Sequence, residues 1–169
     1  MQSLAARLAE GDEAAFAELY DQCADQLHHF LVVRLGSCEA ADDMLQNTFL
    51  RAVKSRRRFR TVENPVAYLF QIARNEAARQ RRPTEKTLVA DELFAFADRD
   101  RSVNDDAEVI AAALARLASE DRELIELKVY AGLTFREIAD VVDRPQATVA
   151  TRYRRALESL RGWLTKQYL

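Results

Sequence analysis

The sequence predicts an all-α protein, two small helical domains joined by an acidic linker. Three observations predict it. Apolar residues recur at intervals of three and four along nearly the whole chain, the period of a helix with one buried face. Glycine occurs four times and proline three times in 169 residues, too rarely for a turn-rich β-sandwich or barrel. Hydrophobic residues make up 49% and charged residues 31%, so the chain is neither disordered nor a membrane protein.

Each element follows from local chemistry. Asp12 is a good N-cap for a helix in which Phe16, Leu19, Tyr20, Leu27, Phe30 and Leu31 recur at helical spacing, and Gly36 suits its stop. A second helix starts at about Glu39 with Leu45, Phe49, Ala52 and Val53 inward. Asn64-Pro65 is an N-cap followed by proline at the first helical position. The helix it opens carries Val66, Leu69, Phe70, Ala73 and Ala77 on one face and runs to about Arg82. These helices bury one core, so residues 1–82 form a first domain. Pro83 ends it. Residues 83–107 are acidic and read as a linker, although Leu88, Leu93, Phe94 and Phe96 are more apolar than a spacer requires. They suit a short helix packed on a neighbouring domain, or a segment that docks on a partner.

The second domain, residues 108–169, begins near Ala107. Leu114 and Leu117 end one helix; Leu124 and Leu127 lie on the next, which closes at Gly132. Thr134-Phe135-Arg136-Glu137 has the spacing of a capping box. The helix behind it turns Ile138, Val141 and Val142 inward, and small Ala139 lets another helix cross closely. After a turn at Asp143-Arg144, Pro145 fits the first turn of a last helix. Val149, Tyr153, Ala156, Leu157, Leu160 and Leu164 form its inward stripe. Thr148, Thr151, Arg152 and Arg155 fall opposite, with Ala147, Ala150 and Arg154 beside them. This is a helix-turn-helix whose second helix is polar and arginine-bearing. Small residues permit close approach to a major groove, and arginines reach guanines or phosphates.

Charge supports the same reading. The formal net charge is −2, but residues 1–50 carry two basic against nine acidic side chains, and residues 51–82 carry ten against two. Residues 83–107 carry three against seven, and residues 144–169 carry six against one. Two basic surfaces, each on its own helical unit, suit a polyanion, while the near-neutral total limits indiscriminate sticking.

Other classes lose ground. The glycines, at 11, 36, 132 and 162, cannot write G-x-x-x-x-G-K-[ST] or G-x-G-x-x-G. No nucleophile or metal constellation is visible. Cys23 and Cys38 read as free thiols in a reducing compartment, and the spacing of Cys23 to His28 and His29 is not a usual zinc spacing. The N-terminal stretch MQSLAARLAEGDEAAF lacks a sustained apolar core, so no signal peptide is expected. No apolar run reaches the ~18 residues of a span, and no membrane insertion is expected. The chain reads as a cytoplasmic non-enzyme without cofactor or metal. A stand-alone helix-turn-helix regulator, with residues 1–82 for dimerisation or sensing, is the main rival reading.

Three stretches together resemble the extracytoplasmic-function sigma factors of bacterial RNA polymerase, which keep only sigma regions 2 and 4. They are GDEAAFAELYD; ADDMLQNTFLRAV with RRFR and PVAYLFQIARNEAARQRR; and LARLASEDRELIELKVYAGLTFREIADVVDRPQATVATRYRRALESLR. The resemblance covers about residues 10–82 and 108–163. It implies a region 2 bundle and a region 4 helix-turn-helix, with core RNA polymerase and promoter DNA as partners. Such sigma factors are usually held inactive by an anti-sigma factor that covers the polymerase-binding surfaces.

The resemblance also places roles. Asp43, Gln46, Asn47 and Leu50, with Lys54 beside them, would meet a coiled coil of the polymerase, while Phe49 stays in the core. Many relatives have an acid where Asn47 stands. The loop from Phe59 to Asn64 and the helix after it would handle the minus-10 element, where a base of the displaced strand is flipped into a pocket. Arg60, Asn64, Arg74, Asn75 and Arg79 are the candidates. Tyr68 stands where relatives commonly have tryptophan and completes the core; Arg56, Arg57 and Arg58 touch phosphates or lie solvated. Gln146, Thr148, Ala150, Thr151, Arg154 and Arg155 match the positions that read the minus-35 element. Ala150 replaces a frequent basic residue and Ala147 a common glycine, so the promoter sequence does not carry over from a relative.

Overall fold

The computed structural model describes residues 1–80 and 105–168. The chain divides into two compact units, Met1–Glu85 and Lys86–Leu169. Within the first, α1 is Leu4–Glu10, α2 Glu13–Leu35, α3 Cys38–Lys54 and α4 Pro65–Gln80, with a 3₁₀ turn at Arg56–Arg60. Within the second, α5 is Asp105–Arg116, α6 Ser119–Val129, α7 Phe135–Val142 and α8 Gln146–Tyr168. The expected linker lies outside the described residues except for its last few, which already belong to α5. Leu88, Leu93, Phe94 and Phe96 are among those outside. No helix among the described residues is long and apolar enough to cross a membrane.

Local capping chemistry sets the boundaries in the first unit. Asp12 Oδ1 accepts from the Ala14 N–H at 2.9 Å and opens α2; Gly36, at φ 69°, closes it. Ser37 Oγ accepts from the Ala40 N–H and opens α3 one residue earlier than expected. The sequence reading did not foresee α1. Ser3 caps it, and Arg7 joins it to α2 through Asp12 at 2.8 Å and Glu18 at 3.0 Å. The Arg7 hydrogen bond holds the Asp12 carboxyl below the ordinary carboxylate range.

The core of this unit is built from Leu8, Leu19, Leu27, Phe30, Leu31, Met44, Phe59, Leu69 and Phe70, all essentially inaccessible. Phe30 of α2 meets Phe70 of α4 edge-on, with ring centres 5.2 Å apart. The segment expected as a loop from Phe59 begins inside the 3₁₀ turn, and Phe59 is fully buried. It packs edge-on against Phe16 at 6.0 Å and Tyr68 at 5.2 Å. Three assignments on α2 and α3 need correction. Tyr20 is 47% exposed, Val53 is 41% exposed, and Phe49 is only half-buried. The apolar surface of α3 is wider than its neighbours cover.

In the second unit, Leu117, Ile125 and Ala156 form a buried cluster with Leu114, Tyr153, Leu157, Leu160 and Trp163 against it. The capping box at the start of α7 is complete: Thr134 Oγ1 accepts from the Glu137 N–H, and Glu137 Oε2 accepts from the Thr134 N–H at 2.8 Å.

Cys23 is buried, donates to the Leu19 carbonyl, and has its thiol pushed up to about 12 by desolvation. Cys38 is partly exposed. Iodoacetamide at about pH 8 is therefore expected to label Cys38 and spare Cys23 until denaturant is added. Mass spectrometry of the digested protein checks this; equal labelling of both thiols in the folded chain would contradict the packing.

Candidate nucleic-acid interface and docking face

The period of α3 sorts its residues. Ala41, Met44, Leu45, Thr48 and Ala52 turn into the bundle, and the buried Thr48 hydroxyl is satisfied by the Met44 carbonyl at 2.8 Å. Asp43, Gln46, Asn47, Leu50 and Lys54 form one exposed stripe on the other side. The structure therefore brings these five candidates together. It adds what the sequence reading missed: a groove beside the stripe, lined by Tyr20, Asp42, Leu45, Gln46, Phe49, Leu50 and Val53. Leu50 is 56% exposed. Tyr20 and Phe49 pack ring to ring at 5.1 Å across α2 and α3. At the groove's edge, Asp42 Oδ1 lies 2.7 Å from His28 Nε2. The available signal was a surplus: Phe49, Leu50 and Val53 add apolar positions to a helix already filled on its inner face.

The second candidate group is split by the structure. Asn75 and Arg79, four residues apart, share the outer face of α4, and Arg74 is half-buried at its edge. Arg79 reaches Glu76 at 3.3 Å, and Arg51 of α3 reaches the same carboxylate at 3.1 Å. Asn64 serves as the cap of α4: its Oδ1 accepts from the N–H groups of Val66 and Ala67. Tyr68 joins the 3₁₀ turn to α4, with its ring on Phe59 and its hydroxyl 3.2 Å from Ser55 Oγ. Arg56, Arg57, Arg58 and Arg60 are all exposed, a dense cationic ridge on a turn anchored by Phe59. Arg56 also crosses Gly11, where a Cβ would lie 3.1 Å from its Nε.

In the second unit, α7 and α8 form the helix-turn-helix. Asp143 ends α7 in the left-handed region at φ 53°, which Asp tolerates better than most residues. Pro145 stands immediately before α8 rather than inside it, and its carbonyl accepts from the Val149 N–H. Val149 and Ala156 are buried, and Tyr153 meets Phe135 of α7 at 5.3 Å. Thr148, Thr151, Arg154 and Arg155 are exposed together with Gln146, while Ala150 is half-buried at the flank. Arg152 departs from expectation. It turns towards α6, where Nε donates to Asp121 at 2.9 Å and Nη1 to Glu120 at 2.5 Å. The Glu120 bond, aided by Asp121, raises its pKa further above the ordinary arginine value.

Residues 19–87 match the family Sigma-70 region 2, and residues 107–160 match Sigma-70, region 4. The ECF RNA polymerase sigma factor SigL of Mycobacterium tuberculosis is 30% identical over 168 residues, covering 95% of this chain and 94% of that one. The chain belongs to the ECF RNA polymerase sigma factors. This sigma factor is a transcription initiation factor. It is also 28% identical to the ECF sigma factor BldN of Streptomyces coelicolor, but spans only 64% of BldN's length. The structure of CnrH, solved in complex with the cytosolic domain of CnrY, is 26% identical, superposes with a TM-score of 0.71 and is covered over 96% of both chains.

The capping box gives a direct stability test of the unit that carries α8. Thr134→Ala is expected to cost about 1 kcal/mol. A urea titration followed by the fluorescence of Trp163, the chain's single tryptophan, checks it.

Proposed function

We propose that the two units divide the work of initiation between them. Residues 1–82 act as sigma region 2, residues 83–107 as linker and residues 108–169 as region 4. The α3 stripe of Asp43, Gln46, Asn47, Leu50 and Lys54 docks on core RNA polymerase. Leu50 and the adjoining groove supply the apolar centre of that contact, and the charged and amide groups its rim. Arg60, Arg74, Asn75 and Arg79 hold the opened minus-10 strand, with Asn64 contributing by fixing the start of α4. Gln146, Thr148, Ala150, Thr151, Arg154 and Arg155 face the minus-35 duplex in the major groove. The observation that carries this reading is the two-faced α8: an apolar side packed on its unit and an exposed polar, cationic side that opens on the helix N-terminus.

The energetics favour a partnered protein. Each surface offers a handful of phosphate contacts, and each contact contributes a slope of about 0.9 in log K against log salt. Either unit alone binds DNA weakly. Holding both on the polymerase raises their effective concentration at a promoter without any new contact. The sigma factor acts in the cytoplasm and performs no chemistry of its own. An anti-sigma protein silences it by covering the exposed apolar patch of Tyr20, Leu50 and Val53.

Run-off transcription tests the reading. Purified chain, core polymerase from the same host and fragmented host genome should give discrete transcripts absent without the chain. Sequence-specific DNA binding by the chain alone, with no transcripts, would favour the stand-alone regulator instead.

Two substitutions test the division of labour. Leu50→Asp should weaken core binding at least tenfold, because it places a charge at the apolar centre of the contact. Arg155→Ala should leave core binding unchanged while lowering promoter affinity and its salt slope by about 0.9. A core pull-down and a promoter-binding titration separate the two; equal loss of both activities from Arg155→Ala contradicts the assignment.

A further inference from the structure

Arg154 and Arg155 are exposed, but Arg152 is committed within the protein. Its partners lie 31 and 32 residues earlier in the chain, so the contact is tertiary. It joins the first turn of α6 to the N-terminal half of α8. Elsewhere α8 is held by apolar packing through Val149, Tyr153 and Ala156, and by Arg116 of α5 over the Trp163 ring at 5.4 Å. Burial of its apolar stripe sets which face of α8 turns inward, but this contact is non-directional and leaves the fine roll about the helix axis less tightly set than a hydrogen bond does. A planar guanidinium forked between two carboxylates is directional and constrains that roll.

We infer that Arg152 is a positioning residue for minus-35 recognition: its fork on Glu120 and Asp121 fixes the roll of α8 so that Thr148, Thr151, Arg154 and Arg155 face the duplex together. The inference rests on the reading of α8 as the helix that contacts the minus-35 element. Arg152 also offsets the charge of two carboxylates beside a surface meant for a polyanion. A part-exposed ion pair contributes little to global stability. Its loss therefore acts on the fraction of molecules with α8 correctly turned, and apparent affinity falls with that fraction.

The test uses the full chain bound to core polymerase and a promoter recovered from the run-off experiment, with its minus-35 element intact or scrambled. The readout is the ratio of the two affinities. Arg152→Glu is expected to reduce that ratio roughly tenfold, because three acids then crowd together. The double variant Glu120→Arg with Arg152→Glu keeps the net charge and rebuilds an ion pair with its ends exchanged. It is expected to return the ratio to within about threefold of the original. Arg152→Lys, which keeps the charge without the fork, should lose about threefold at unchanged helix content and unchanged core binding. An exchanged pair as weak as Arg152→Glu, or a lysine variant indistinguishable from the original, would overturn the inference. If the unsubstituted chain binds intact and scrambled elements equally, the reading of α8 itself fails and takes this inference with it.

Discussion

Phe59 is the constraint on which the cationic side of the first unit depends. It is the one apolar side chain in Arg-Arg-Arg-Phe-Arg, and it is fully buried. Four cations within five residues repel one another, and such a segment tends to stay extended and solvated. Phe59 reverses that tendency by inserting between Phe16 of α2 and Tyr68 of α4. Losing a buried phenylalanine of this kind costs about 3–5 kcal/mol, more than the capping and ion-pair contributions nearby. One ring therefore turns a repulsive run into an ordered cationic ridge. It also fixes where that ridge sits relative to Asn64 and the start of α4.

The two exposed faces arise from opposite causes. On α3, neighbouring helices leave Leu50 and Val53 uncovered, so the surface is apolar and grooved. On α8, the inner stripe packs on its unit and the outer side carries threonines and arginines, so the surface is polar and close-fitting. The first suits a protein partner, where desolvated apolar area supplies affinity. The second suits a duplex, where phosphate contacts supply affinity and base edges supply choice.

Legibility in the sequence followed how local the cause was. Asp12, Gly36 and the Thr134–Glu137 box act within a single turn, and the helices they bound lie close to where those residues predict. The outer face of α8 was legible because one period separates Val149 and Ala156 from Thr151 and Arg155. What escaped depends on other elements. The helix α1 is seven residues long, too short to give a periodic signal, and its place is set by buried Leu8 together with Arg7 on Asp12 and Glu18. Tyr20 and Val53 have the right spacing for a core but no helix above them among the described residues. Arg152 shares the polar character of its neighbours, and only the acids at the start of α6 reveal that it turns away. Asn64 suits both a cap and a DNA contact by its place in the sequence; the structure uses its oxygen as the cap.

The separation of faces on α8 bears on how such a protein diversifies. Its folding rests on Val149, Tyr153 and Ala156, and its turn on an Asp143 held in the left-handed region. Thr148, Thr151, Arg154 and Arg155 are exposed and bear little of that load, and substitutions at such surface positions usually change stability by no more than about 0.5 kcal/mol. A lineage is then free to drift through alternative side chains at those four positions while the fold stays intact. On the proposed reading of α8, duplicated copies can acquire separate sets of target genes without passing through an unfolded intermediate.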